Sequence, residues 1–261
     1  MPLHLSESGV DASETVVLLH GVGTTGWMWR QLTESLEGDV HVLNVDLPGH
    51  GDSRARAWES MADTVAAVAE LIETQAHERR AHLVGLSLGG YVALDLAASR
   101  PDLVPSAIAS GVNVLPFPHP RLMGLAGRLM SPFMTLGPLL RANARSLGVK
   151  PEDFQGYAEA ARMMAPGTFL RVGAELMDYR IPSSSGASAS RILAIAGQKE
   201  QELIVRSVSE IAAAFPRGSG RLAAGVGHAW NGESPDLFAQ VVRDHISEQP
   251  LPRELLAPTP G

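Results

Sequence analysis

The chain contains no cysteine. Disulfide bonds, thiolate metal ligands and cysteine redox chemistry are therefore excluded. Basic residues are also few, with 21 lysines and arginines against 28 acidic residues and a formal net charge of −7. We expect no nucleic-acid partner, because such a partner requires a clustered basic surface that neutralises phosphates.

Long apolar runs and targeting features are absent from the sequence as well. No segment offers about 18 uninterrupted apolar residues, the length that spans a bilayer, and the first fourteen residues lack the basic and apolar regions of a signal peptide. We therefore expect a cytoplasmic protein without membrane insertion. Its 261 residues favour one large α/β domain with an insertion, and they leave open whether the protein is a monomer or a homodimer.

Short apolar segments alternate with helical patterns along the first 110 residues. This alternation is typical of βαβ units and predicts a mostly parallel central sheet flanked by helices. The predicted strands are 15–20, 40–46, 81–86, 105–110, 191–197 and 220–225, and the predicted helices lie near 27–37, 59–77, 89–99, 203–215 and 235–248.

The alternation breaks in the middle of the chain. Residues 114–189 are rich in Pro, Met and Gly and contain no convincing buried strand, so we predict a helical cap inserted into a core formed by 1–113 and 190–248. The Ser-rich stretch 181–190 is expected to be a loop. The tail 249–261 has four prolines and is expected to be loose.

A glycine-rich loop follows the first predicted strand. Residues 21–26 read Gly-Val-Gly-Thr-Thr-Gly, which matches G-x-G-x-x-G, and the next strand ends in Asp46. Together these features are compatible with a dinucleotide site in which the acid binds a ribose. The alternative is a loop that stabilises an oxyanion. The G-x-G-x-x-G match alone is weak evidence for a dinucleotide site, and the choice between the two interpretations depends on the remaining motifs.

A second motif, Gly85-Leu86-Ser87-Leu88-Gly89, matches G-x-S-x-G. It lies between a predicted strand and an Ala/Leu-rich helix, which is the context that this motif requires. A sharp turn there exposes the serine hydroxyl, and residues two positions away must be glycine to avoid clashes. The motif therefore predicts that Ser87 is a nucleophile.

A nucleophilic serine needs a base, and the base needs an acid. Of the nine histidines, only His228 lies at the end of the final predicted strand, downstream of Ser87, and we predict that it is the base. Residues 198–202, which follow strand 191–197, contain no aspartate, so Glu200 is the candidate acid. Glu202 and Asp178 remain weaker candidates.

These motifs resemble those of the α/β-hydrolase fold family, in particular its capped esterase and lipase-like serine hydrolases. The resemblance rests on "HG" at 20–21, "DLPGHGDS" at 46–53, "GLSLGG" at 85–90 and "GVGHAWNGESPDLF" at 225–238. It implies an oxyanion hole formed by the backbone N–H groups of Val22 and Leu88, and it makes the G-x-G-x-x-G match coincidental. Members of the family usually have aspartate where this chain has Glu200.

The sequence also indicates an apolar binding pocket. Six of nine methionines fall in the predicted cap, and we expect the pocket over Ser87 to be lined by Trp27, Trp29, Met130, Met134 and Trp230. The predicted function is cofactor-free hydrolysis of a carboxylic ester, thioester or lactone with an apolar group. The scattered histidines predict no metal site. A lyase, cyclase or ligand receptor on the same fold, and a nicotinamide oxidoreductase, are the alternatives.

Overall fold

The computed structural model describes residues 1–133 and 135–258. It contains one eight-stranded sheet, in the order β1-β3-β2-β4-β5-β6-β7-β8. The six central strands are parallel, and the short strands β1 and β8 pair antiparallel at the two edges. The predicted mostly parallel sheet is thus confirmed. The strands are β1 (Leu5–Ser8), β2 (Thr15–Leu19), β3 (His41–Val45), β4 (His82–Leu86), β5 (Ser106–Ser110), β6 (Arg191–Gly197), β7 (Arg217–Ala223) and β8 (Leu255–Leu256).

Helices cover both faces of the sheet. The strands β2 to β5 are buried along their whole length, as expected for a parallel sheet packed on both sides. Apolar side chains of α2, α3 and α8 form the core on one face, and those of α1 and α10 form the core on the other. These helices are α1 (Arg30–Leu36), α2 (Met61–Gln75), α3 (Leu88–Ser99), α8 (Glu202–Ala214) and α10 (Pro235–Ile246), preceded by the single turn α9 (Trp230–Glu233).

Four helices occupy the segment between β5 and β6, where the helical cap is predicted. They are α4 (Pro120–Met130), α5 (Gly137–Leu147), α6 (Phe154–Arg162) and α7 (Thr168–Met177). The Ser-rich stretch that follows contains a 3-10 helix, Ser183–Ala187, where a loop was expected. We call residues 114–189 the helical insertion.

The insertion is joined to the core beside the glycine-rich loop. The indole of Trp27 packs against Gly156 of α6 so closely that a Cβ at Gly156 would lie 2.2 Å from Trp27 Cε2. Arg30 forms an ion pair with Asp153, and its guanidinium lies 4.5 Å from the centre of the Trp27 ring. These contacts hold α6 beside the glycine-rich loop that follows β2.

The tail differs from the expectation. Leu255 and Leu256 pair with Ala223 and Leu222 as β8, and Leu255 is buried. The expectation of a loose tail is therefore wrong for this part, because β7 has an unpaired edge that an extended segment with an apolar side chain can cover. Within the part of the chain that the structure describes, no helix is long and apolar enough to cross a membrane.

Candidate active site

Ser87 lies in a strained turn between β4 and α3. Its φ and ψ are 53° and −117°, a conformation that L-residues rarely adopt and that clusters at functional sites. The flanking glycines are sterically required: a Cβ at Gly85 would lie 2.2 Å from the carbonyl oxygen of Gly89, and a Cβ at Gly89 would lie 1.9 Å from that of Leu19. The Ser87 N–H donates to Ser110 O at 2.8 Å, which fixes the turn to β5.

His228 follows β7 and is bonded to Glu200, which follows β6. Glu200 Oε2 lies 2.5 Å from His228 Nδ1, and Oε1 accepts the Gly197 N–H at 3.0 Å. The Glu200 side chain is 1% exposed, and that of His228 is 17% exposed. A carboxylate at Nδ1 favours the tautomer with the proton on that atom, so Nε2 is left free to accept a proton.

The weaker candidate acids lie elsewhere. The Glu202 side chain is 84% exposed and faces Arg206 on the same helix at 3.8 Å. Asp178 is exposed at the end of α7, beside Tyr179 and Arg180. Of the three carboxylates, only Glu200 contacts His228.

Ser87 and His228 line the same cavity, which has a volume of about 210 Å³. The core contributes the glycine-rich loop and Met28, and the insertion contributes apolar side chains from α5 to α7 and the loops between them. Asn143 and Tyr157 add a polar pair, with Asn143 Nδ2 donating to the Tyr157 hydroxyl at 2.6 Å. The apolar side chains from the insertion include Leu140, Leu147, Val149, Met164 and Phe169.

Two backbone N–H groups, of Val22 and Leu88, belong to residues close to Ser87. Val22 lines the cavity, and a Cβ on the preceding Gly21 would lie 3.5 Å from Ser87 Cβ. Leu88 is the first residue of α3, where N–H groups have no intrahelical acceptor. Among residues 1–133 and 135–258, no protein acceptor takes the N–H of Val22 or Leu88. Both donors are therefore free to bind a ligand oxygen.

Asp46 has a role within the protein that competes with ribose binding. Its Oδ1 accepts the Gly26 N–H at 2.8 Å, and its Oδ2 accepts the Asp52 N–H at 2.9 Å. It thereby ties the glycine-rich loop to the turn after β3. Donor atoms of His4, Asp46 and Asp52 lie within 4.8 Å of one another, but a metal there would compete with these two backbone bonds.

Two buried histidines, His20 and His50, lie beside the glycine-rich loop and stabilise it. His20 Nε2 accepts the Leu47 N–H at 2.9 Å, while Nδ1 donates to Gly21 O at 2.8 Å. The ring centres of His20 and His50 are 5.0 Å apart, in an edge-to-face arrangement. Burial lowers the pKa of His20 to about 4, and burial together with the nearby His20 lowers the pKa of His50 to about 3. Both rings are therefore neutral at neutral pH, and this hydrogen-bond pattern is preserved.

Only one of the five expected pocket residues is found lining the cavity. Trp27 lines the cavity. The structure corrects the expectation for Trp29 and Trp230, which are completely buried in the core. Both rings pack against Phe238 and fill the space between the sheet and α10. The indole N–H of Trp230 also donates to Ser110 Oγ. Met130 is 42% exposed on α4 and does not line the cavity. Met134 lies outside the described residues.

Sequence reasoning missed two residues that hold His228. Gly111, with φ +66°, packs against the imidazole, and Glu233 Oε1 accepts the Gly227 N–H at 2.8 Å. Ala229, which follows His228 in the chain, donates its N–H to Leu147 O of α5 at 2.8 Å. A glutamate five residues after the histidine carries no local signal of this contact, because the contact depends on the turn formed by α9.

The sequence and the fold are similar to those of known proteins. The model of the Alpha/beta hydrolase family matches residues 16–241. An "AB hydrolase superfamily protein" of Gibberella zeae is 29% identical over 260 residues, covering 92% of this chain and 82% of that protein. A "Putative carbamate hydrolase RutD" of Pantoea ananatis is 28% identical over 262 residues, covering 94% and 92%. A thermophilic esterase from Thermogutta terrifontis has a similar fold, with a TM-score of 0.75 at 20% identity over 94% of this chain and 93% of that one.

Proposed function

This chain belongs to the alpha/beta hydrolase family, and we propose on that premise that it is a serine hydrolase of carboxylic esters, thioesters or lactones with an apolar group. One observation carries the proposal. The strained Ser87 shares a cavity with a histidine whose far nitrogen is bonded to a buried carboxylate. That combination of nucleophile, base and acid is the arrangement that activates a serine hydroxyl.

The reaction begins with attack of Ser87 Oγ on the substrate carbonyl. His228 Nε2 accepts the hydroxyl proton and returns it to the leaving alcohol, thiol or ring oxygen, which leaves an acyl group on Ser87. Water then attacks the acyl group by the same proton route and releases the acid. Glu200 keeps the His228 proton on Nδ1 and stabilises the imidazolium that forms in each step.

The oxyanion is bound by the N–H groups of Val22 and Leu88. Neither group has an acceptor among the residues that the structure describes, and the N–H of Leu88 is at the positive end of the α3 dipole. Donors aimed at charge that develops in the transition state each contribute about 10²- to 10³-fold to turnover.

The helical insertion acts as the cap that selects the substrate. Its contribution to the cavity is mainly apolar, which favours an alkyl or aryl group over a charged one. Burial raises the pKa of Tyr157, so this phenol stays protonated. Since its oxygen accepts from Asn143, the hydroxyl proton remains available for a polar atom of the substrate.

A hydrolysis assay with wild type and Ser87→Ala tests the function. The substrates are p-nitrophenyl esters of increasing acyl length and one p-nitrophenyl carbamate, which is included because a relative is named as a carbamate hydrolase. We expect ester turnover that falls by at least about 10⁴-fold in Ser87→Ala and is unchanged in Ser13→Ala, an exposed serine outside the cavity.

Labelling with a serine-directed phosphonate separates the alternatives. A single adduct on Ser87 together with ester turnover supports the proposal. An adduct without turnover of any substrate would indicate an activated serine with a non-hydrolytic reaction. Full activity in Ser87→Ala would refute the mechanism.

A further inference from the structure

Exposed apolar side chains are concentrated in one short part of the helical insertion. Of the ten large apolar side chains that are exposed among the described residues, seven lie between positions 122 and 136. A concentration of this kind marks an interaction surface, whereas single exposed apolar residues do not. The seven are Leu122, Met123, Leu125, Leu129, Met130, Phe133 and Leu136, and we call them the apolar stripe.

The stripe follows the geometry of α4. Leu122, Leu125 and Leu129 are separated by three and four residues, which places them on one side of the helix. Leu122 and Leu129 are both 64% exposed. The helix packs on α7 through its glycine side, where a Cβ at Gly124 would lie 3.4 Å from Met177 Cε. The leucine side is left without cover.

The stretch of sequence around the apolar stripe carries basic residues but no acidic ones. The sequence contains no acidic residue between Asp102 and Glu152, although the whole chain has a formal net charge of −7. Arg121 and Arg128 lie exposed on α4, which carries no acidic residue of its own. A helix with an apolar side and arginines is the composition that lies in the interface of an anionic lipid layer.

The stripe is adjacent to the proposed active site. Thr135 lies between Phe133 and Leu136 of the stripe and lines the cavity that contains Ser87. A surface bound through the stripe would therefore face the rim of the cavity.

We propose that the apolar stripe, together with Arg121 and Arg128, docks on an anionic lipid surface. Helix α4 lies in the plane of the interface, the stripe enters the acyl boundary, and Arg121 and Arg128 bind lipid phosphates. A second copy of the chain fits this surface less well, because a twofold interface places the same patch of each copy against the other and would bring arginines together. An anionic lipid surface has the opposite charge.

Vesicle flotation tests the proposal without any substrate, so its outcome is independent of the proposed hydrolysis. The probes are vesicles of phosphatidylcholine alone and vesicles of equimolar phosphatidylcholine and phosphatidylglycerol. We expect wild type to bind the mixed vesicles more strongly, and binding to weaken at high salt. Arg121→Gln with Arg128→Gln should weaken binding to mixed vesicles by about 30-fold.

Matched variants distinguish the contribution of the apolar stripe to vesicle binding from that of positive charge elsewhere on the protein. Leu125→Asn with Leu129→Asn keeps the charge and should weaken binding to both vesicle types by at least about 100-fold. Arg206→Gln with Arg253→Gln removes the same charge from exposed positions outside the insertion and should bind as wild type. An unchanged melting temperature shows that each variant is folded.

Three results would overturn the proposal. The first is no binding of folded wild type to either vesicle. The second is equal binding by wild type and the double asparagine variant. The third is a dimer in light scattering that Leu125→Asn with Leu129→Asn converts to a monomer, without vesicle binding, which would assign the stripe to a second copy.

Discussion

Glu200 Oε2 lies 2.5 Å from Nδ1 of His228, and the carboxylate that makes this contact is almost completely enclosed by protein. Its other oxygen is held by the Gly197 N–H at the end of β6. The carboxylate thus has both oxygens bound and a fixed orientation. A glutamate three residues beyond the strand therefore reaches His228, a contact that the family resemblance led us to expect from an aspartate.

Glu200→Gln is expected to lower kcat by about 10³- to 10⁴-fold with little change in KM. The amide cannot stabilise the imidazolium, and its N–H₂ group can bind Nδ1 and leave the proton on the wrong nitrogen. Steady-state kinetics on the best p-nitrophenyl ester measures the effect. Glu202→Gln, which changes an exposed carboxylate two residues away, is the control and should behave as wild type. Equal activity of the two variants would contradict the assignment.

Gly111→Ala is expected to impair catalysis by displacing the imidazole. The added Cβ would lie 2.7 Å from His228 Cε1 and 2.9 Å from Nδ1, closer than such atoms can approach. Gly38→Ala is the matched control, because Gly38 also has a positive φ but its Cβ would meet no atom within 4 Å. Both variants should lose stability from backbone strain. Only Gly111→Ala should lose kcat, by about 100-fold, and equal losses would argue against this packing role.

Glu233 is expected to act as a positioning residue for His228. Its Oε1 binds the Gly227 N–H, and the turn that carries it is anchored by the bond from Asn231 Nδ2 to Met28 O at 3.0 Å. Glu233→Ala should lower kcat by up to about 100-fold, because small displacements of a base are costly. Glu233→Gln keeps an oxygen acceptor and should restore most of the activity. The rate of phosphonate labelling of Ser87 provides a second measurement, and a fully active Glu233→Ala would exclude the role.

Stability is expected to fall steeply in mild acid. Burial lowers the pKa of His20 to about 4 and the pKa of both His50 and His245 to about 3, and it lowers the pKa of His82 as well. At pH 5, His20, His50 and His245 are protonated in the unfolded chain but neutral in the folded one, so unfolding takes up about three protons at these groups. Asp95 acts in the opposite direction, because burial raises its pKa to about 6. The free energy of unfolding should therefore decrease by about 2.7 kcal/mol per pH unit near pH 5, the slope for about two net protons.

Urea titrations at a series of pH values from neutral to about pH 5 measure this slope. His245→Gln removes one of the buried groups and should reduce the slope by about 1.4 kcal/mol per pH unit. A free energy of unfolding that does not change over this range would show that unfolding takes up no net protons, which contradicts this prediction.

Much of the core followed from local sequence pattern. The strands from β2 to β6 begin and end within about one residue of their predicted bounds, because short apolar segments between turn signals are typical of buried parallel strands. The turn at Ser87 was also predictable from local sequence, because the contacts that require Gly85 and Gly89 lie in or next to the turn itself. The roles of Ser87, His228 and Glu200 stay predictions that the kinetic variants test.

The sequence by itself determined the alternation of central strands and helices, the strained serine turn and the separation of charge along the chain, because each of these depends on neighbouring residues. Only the tertiary structure decided which side chains face the cavity. Trp29 and Trp230 flank the candidate site in sequence and yet fill the core, while Tyr157 and Gly111 reach the site from distant segments. The direction in which a side chain points depends on packing between elements that are far apart in the chain, and composition does not encode that packing.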